Sequence, residues 1–311
     1  MDKRRQRISM ALAGLIILGM IGVAVLLGEQ EIIFPEIAAL ATGVFLTPQL
    51  LWKDTGAWKF LALMTASAVL GILLTTVEEI PVYLRVVIGC VFSVVCLTVG
   101  KSGLFPMLSA CVLPAIQNIQ SWVYPVSVFC CALAIVLARQ VMGRLVGDGG
   151  FRVVKTNTDY TSAAVVRPRV VGLCIVLLYA IIPCVSHTTL LIAPPLFVLF
   201  LELFTEPKKQ RGREGQVFLL GILCCSAGAW LTLLLRHYLG SQLLAGAAIT
   251  AVLFALLRWF DMYLPPVAAL SFLPIILPAG ALPLYPLYTG ITLAVMCVFL
   301  RWRRGLLRKK K

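Results

Sequence analysis

Charge is scarce in this chain and histidine is nearly absent. Of 311 residues, 13% are charged and two are histidines, His187 and His237. A soluble domain carries about 25% charged residues, so this chain has too few to cover a water-facing surface. Both histidines fall at predicted outer ends of apolar runs and have no clustered partners, which argues against a metal centre. The ten cysteines all fall inside apolar runs. None forms a C-x-x-C pair and no loop carries two, so neither a disulfide framework nor a zinc site is expected; they read as small buried hydrophobes. No glycine-rich phosphate loop, nucleophile elbow or paired catalytic carboxylates occur, which argues against an ATP-driven pump. No cofactor is expected.

What the chain has instead is hydrocarbon: 60% of its residues are hydrophobic. Apolar runs long enough to cross a bilayer recur along nearly the whole length. The expected class is all-α, a polytopic transmembrane helix bundle. Twelve candidate crossings fall near 8–28, 34–52, 58–77, 83–100, 103–120, 122–142, 169–186, 188–205, 216–235, 240–257, 263–280 and 284–301. The first has a basic start like a signal peptide, but its apolar core is long and no clear A-x-A site follows, so it reads as an uncleaved helix.

The formal net charge is +14. No basic helix or aromatic RNA-binding motif accompanies it, so no nucleic-acid partner is expected. With the N-terminus cytoplasmic and all twelve segments crossing, every one of the 27 basic residues except Arg85 and Arg236 falls on the inside. That positive-inside bias predicts a multi-pass plasma-membrane protein with both termini cytoplasmic. If 103–120 only dipped into the bilayer and returned, the basic residues of the loop after 142 would land outside, so this segment is expected to cross, as a broken helix.

The halves repeat. Pro35, Pro48, Gly56 and Ser67 match Pro194, Pro207, Gly215 and Ser226; Pro106 and Pro114 match Pro266 and Pro274; Tyr124-Pro125 matches Tyr285-Pro286. The spacing drifts by only two residues over this stretch, as a duplicated gene would leave it. The expected organisation is a first membrane repeat at 1–142, a cytoplasmic linker at 143–168, a second repeat at 169–302 and a basic tail at 303–311. Six crossings per half make the repeats parallel.

The matching prolines carry the functional expectation. A proline inside a crossing removes an amide donor and clashes with the preceding turn, and such breaks survive only where protein or a wet cavity re-satisfies the backbone. Interrupted segments at matching positions point to a transporter's binding site, with half-helix N-termini favouring an anion; kinks that serve packing alone are the competing reading. The passage candidates are Pro35, Glu36, Pro106, Ser109, Pro114, Pro194, Pro195, Glu202, Pro265, Pro266, Ser271 and Pro274. Glu36 follows Pro35 at a helix start, where capping competes with a ligand role. Glu202 is either a coupling site or one end of an interface ion pair. Gln117, Asn118 and Gln120 either line the passage or sit at the outer boundary beside Trp122 and Tyr124. Thr42 and Thr47 can bond back to their own helix. The tail "RWRRGLLRKKK" is a topology anchor that could also bind anionic lipid.

The proline-led segments "FPEIAALATG" and "APPLFVLFLE", followed by Leu104-Phe105-Pro106 and Leu264-Pro265-Pro266, resemble the HPP family of integral membrane proteins. The likeness covers about 10–142 and 169–302, one module in each half. Leucine stands where the motif has histidine both times, and the first half lacks the first proline. The resemblance implies a transport role, the family being linked to nitrite passage, and the missing histidine leaves the substrate open. Expectation therefore favours a transporter or channel for a small, anionic solute at the junction of the repeats. A non-transporting scaffold or partner subunit is the first alternative, and an intramembrane lipid-modifying enzyme the second.

Overall fold

The computed structural model describes residues 3–46, 54–146, 158–186, 188–205 and 212–309. Pro48, Pro207, Thr47 and His187 lie outside them, as do residues 147–157 of the predicted linker. The described chain is helical, with no strand. Helices run in the order α1 (Lys3–Leu27), α2 (Glu36–Leu46), α3 (Ala57–Thr76), α4 (Val82–Val99), α5 (Pro106–Gln117) and α6 (Val123–Val146). After the linker come α7 (Ala163–Val185), α8 (Pro194–Thr205), α9 (Glu214–Leu231), α10 (Gln242–Trp259), α11 (Pro265–Phe272) and α12 (Tyr285–Lys309). Helix α9 continues into a π-turn at Thr232–Tyr238.

Eight of these helices are long and apolar enough to cross a membrane: α1, α3, α4, α6, α7, α9 with its π-turn, α10 and α12. Their outer faces carry exposed Leu15, Val95, Leu178 and Val298. A soluble protein rarely exposes such a belt, and in a bilayer it faces lipid. Among the described residues, the other four predicted crossings, 34–52, 103–120, 188–205 and 263–280, contain α-helices of 11, 12, 12 and 8 residues. At 1.5 Å per residue none spans a bilayer alone. Proline sets their length. Pro106, Pro194 and Pro265 each occupy the first helical position, where the missing N–H would have no helical partner anyway. Pro35 stands just before α2. These prolines start helices, whereas the sequence placed them as interruptions within helices.

The four short helices form the core. Every residue of α2 and α11 is buried, as is Pro106–Ala115 of α5 and Pro194–Phe204 of α8. A helix that is apolar all round is stable only when enclosed. Helix α2 packs against α11, α5 against α8, and α8 against α11; the long helices surround them. Pairings recur between the halves: α1 touches α10 as α7 touches α4, and α3 grips α5 and α6 as α9 grips α11 and α12. Helices α4 and α10 end alike. Lys101 and Asp261 take left-handed conformations with φ of 48° and 45°, and Ser102 N–H and Met262 N–H reach back to Leu97 and Leu257 carbonyls at 2.9 and 3.1 Å. Both are Schellman stops.

Cysteine placement differs in part from expectation. Cys90, Cys111, Cys224 and Cys225 are buried, whereas Cys130 and Cys174 are exposed on the outer surface of long helices. All ten are free thiols.

Candidate functional site

Side-chain bonds fix the direction of each short helix. Ser127 Oγ donates to the Ile32 carbonyl at 2.5 Å, and Gln120 Nε2 to the Thr75 carbonyl at 3.5 Å. The ends of α1 and α3 and the start of α6 therefore share one end of the bundle. Thr55 and Ser102 hydroxyls bond at 2.8 Å, which puts the start of α3 and the end of α4 at the other end. Helix α2 must lead from the first end to the second, and α5 the opposite way. Yet Glu36, the first residue of α2, accepts a hydrogen bond from Ser109, in the first turn of α5. The N-terminal turns of two oppositely directed helices thus meet between the ends of the bundle.

The second half is laid out the same way. Thr292 Oγ1 donates to the Leu191 carbonyl at 2.8 Å. Arg236 donates to the Ile275 carbonyl and, at 2.7 Å, to Gln30 Oε1. Arg213 donates to the Phe260 carbonyl at 2.8 Å. Helices α8 and α11 are therefore also oppositely directed, and they touch. Aligned peptide dipoles leave each helix N-terminus partly positive, so these starts make the interior favourable to negative charge.

At the meeting point Glu36 is 1% exposed. Its Oε1 accepts a hydrogen bond from the Ser109 hydroxyl, its own backbone N–H lies close by, and Oε2 has no hydrogen-bond partner. The tyrosines Tyr124 and Tyr285 are near enough to feel its charge. The positions matching Glu36 and Ser109 in the second half are Pro195 and Ala269, so the polar pair exists once. An unsatisfied buried carboxylate oxygen is costly, and such a residue at depth in a membrane protein is a functional candidate.

The interior prolines behave otherwise than expected. Pro114 cannot donate to the carbonyl four residues back, on Ala110; Tyr124 OH fills that place at 3.0 Å. Pro274 leaves the Leu270 carbonyl free in the same way, and Tyr285 OH fills it at 2.8 Å. The freed carbonyls are therefore sealed by protein and do not face a passage. The Tyr-Pro pairs at 124–125 and 285–286 were the sequence signal for these seals. Tyr124→Phe is expected to cost about 1–3 kcal/mol by leaving the Ala110 carbonyl unpaired. Adding Pro114→Ala restores a backbone donor, so the double variant should melt above Tyr124→Phe alone in thermal unfolding.

The remaining candidates separate. Pro35, Pro106, Pro194, Pro195, Pro265 and Pro266 gather at the buried starts of the four short helices. Ser271 is buried in α11 and donates to the Val267 carbonyl at 3.3 Å, an in-helix bond like that of Thr42 to the Ala38 carbonyl at 2.6 Å. Glu202 is buried near the C-terminal end of α8, at the opposite end of a short helix from the convergent starts. Asn118 ends α5 in a left-handed turn with φ of 54° and is exposed, as is Gln120, while Gln117 is half-buried. These amides lie at the end of the bundle where α3 ends and α6 begins. His237 is exposed at the end of the π-turn, and no cluster of metal-binding side chains occurs among the described residues.

Arg85 and Arg236, the two basic residues assigned outside, both serve backbone carbonyls. Arg85 donates to Ile80 at 2.8 Å and Val77 at 3.1 Å, closing the end of α3. Arg236 does so for Ile275 after α11. In the tail, Arg303 lies 3.7 Å over the Phe204 ring and Arg304 pairs with Glu214. The start of the tail is thus a continuation of α12 that locks to its neighbours.

Two lateral clefts lie at matching places, between the first and last long helix of each half. One, of about 790 Å³, is bordered by Leu15, Gly19 and Val23 of α1 and Val126, Cys130 and Ala134 of α6. The other, of about 80 Å³, is bordered by Ile175 and Tyr179 of α7 and Thr292 and Phe299 of α12. It is smaller because Tyr179 bonds Thr292 at 2.7 Å and Phe200, Phe204 and Phe299 stack beside it. Glu36 and Ser109 line neither cleft.

No protein-family model, curated protein or solved structure matches the chain.

Proposed function

We propose that the chain is a transporter or channel for a small anionic solute, whose site lies between two duplicated halves, where the short helices begin. On this reading the four short helices and their extended leads complete four further crossings. That makes twelve, in two parallel six-helix repeats in the plasma membrane, with both termini cytoplasmic. The support is the shared helix order, the paired Tyr-to-carbonyl seals and the paired Schellman stops. The likeness to the HPP plan belongs to the same proposal and rests on proline spacing. So does anionic lipid at the basic tail.

One observation carries the functional part: the N-terminal turns of α2 and α5 converge on a buried carboxyl with an unfilled oxygen, away from both ends of the bundle. Helix starts around buried polar groups are how membrane carriers hold charged solutes. The burial of all four short helices fits a closed state that must open to exchange its cargo. A second reading, a non-transporting membrane component, is favoured by the tyrosine seals, which satisfy the freed carbonyls without any solute. Liposomes carrying the purified protein, screened with small anions, distinguish the two. Saturable uptake of one anion is expected; no flux for any of them, with insertion confirmed, rejects transport.

A further inference from the structure

Resting on that reading, we infer that Glu36 is the coupling site: it binds a proton inside the closed bundle and releases it when the bundle opens. The argument is geometric. Glu36 is enclosed, and one oxygen holds the Ser109 hydroxyl while the other holds nothing. A proton is the one ligand that needs no added space there.

Among the described residues, no cation is shown to balance a carboxylate there. Helices α5 and α11, which pack on α2, contain no lysine, arginine or histidine, and neither does α2 itself. Helix α1 carries its basic residues only at positions 3–7, at the opposite end from its contact with the lead into α2. In α6, Arg139 and Arg144 lie four turns or more beyond Tyr124, which sits near Glu36. The titratable groups near Glu36 are Tyr124 and Tyr285, and both tyrosine hydroxyls are already committed to the Ala110 and Leu270 carbonyls.

Coupling follows from charge. The convergent helix starts attract an anion, but an ionised Glu36 already occupies that field and repels a second negative charge. Anion and proton therefore favour each other's binding, and by linkage the effect is reciprocal. The solute enters with a proton, as symport. The second half, with Pro195 and Ala269 at the matching positions, holds no such pair there.

Infrared spectroscopy of the full chain in lipid tests proton binding without any solute. A protonated-carboxyl band should be present in acidic buffer, fade in alkaline buffer and be absent from Glu36→Gln. Glu202→Gln should retain it. Ser109→Ala, which keeps the carboxyl, should move the band to a higher frequency as the hydroxyl is lost. A band untouched by Glu36→Gln, or no band at any pH where the protein stays folded, overturns proton binding. In liposomes, Glu36→Gln should abolish accumulation driven by a pH gradient; accumulation that survives overturns the coupling. If the band behaves as expected but no anion is carried, the transport reading fails and the proton site stands.

Discussion

Gly228→Ala should sharply reduce the yield of folded protein, with a cost on the order of 3 kcal/mol or more. A methyl group at Gly228 in α9 would overlap the backbone carbonyl oxygen of Ser271 in α11. Backbone cannot swing aside as a flexible side chain can, and α11 is enclosed on every face. Gly71 in α3 stands in the same relation to α5: a methyl there would lie 2.6 Å from the Cys111 carbonyl oxygen and 3.0 Å from Pro114 Cγ. Gly71→Ala should therefore fail similarly. Gly22→Ala is the control, since nothing lies within 4 Å of a methyl at that position. Monodisperse yield in detergent and the midpoint of thermal unfolding would report the difference. Equal behaviour of Gly22→Ala and Gly228→Ala would refute the close packing.

Arg169→Ala should cost about 1.5–3 kcal/mol, the range for losing hydrogen bonds made by a charged group. Arg169 is 4% exposed. It donates to the Ser102 carbonyl at 2.9 Å and to Thr98 Oγ1 at 3.3 Å, and it lies over the Phe105 and Tyr160 rings at 5.7 and 5.3 Å. Tyr160 in turn donates to Asp54 at 3.0 Å. One guanidinium thus ties α7 to the lead into α5 and to the segment before α3. Arg169→Lys should recover little, because an ammonium offers neither the planar fork nor the stacking face. A lysine variant as heat-stable as the parent would show that charge alone matters there.

Hydropathy was enough to find all eight long helices, because a bilayer demands a continuous apolar run and each run has that length. For 34–52, 103–120, 188–205 and 263–280 it marked the apolar runs but not the short extents of the helices within them, because burial among other helices produces apolar runs as surely as lipid does. Their true extents were set by Pro106, Pro194 and Pro265 at first helical positions. Proline spacing did locate the central helices and so the neighbourhood of the candidate site. It could not show that Glu36 meets Ser109, 73 positions away, since no periodicity links two helix starts that approach from opposite ends. It also could not show that Pro114 and Pro274 are neutralised by tyrosines 10 and 11 residues further on, which requires the chain to double back. Arg85 and Arg236 looked like exceptions to a charge rule; they are carbonyl caps whose partners are invisible without coordinates.

The π-turn at the end of α9 gains a meaning under the proposed duplication. A lone wide turn is what a helix forms when it takes in one surplus residue. The match between halves slips from 159 to 160 positions between Ser226 and Pro266, and Thr232–Tyr238 lies within that interval. At the corresponding place the first half has the ordinary last turn of α3, which ends at Thr76. On that proposal the wide turn absorbs one surplus residue in place, with the enclosed contacts before and after it kept.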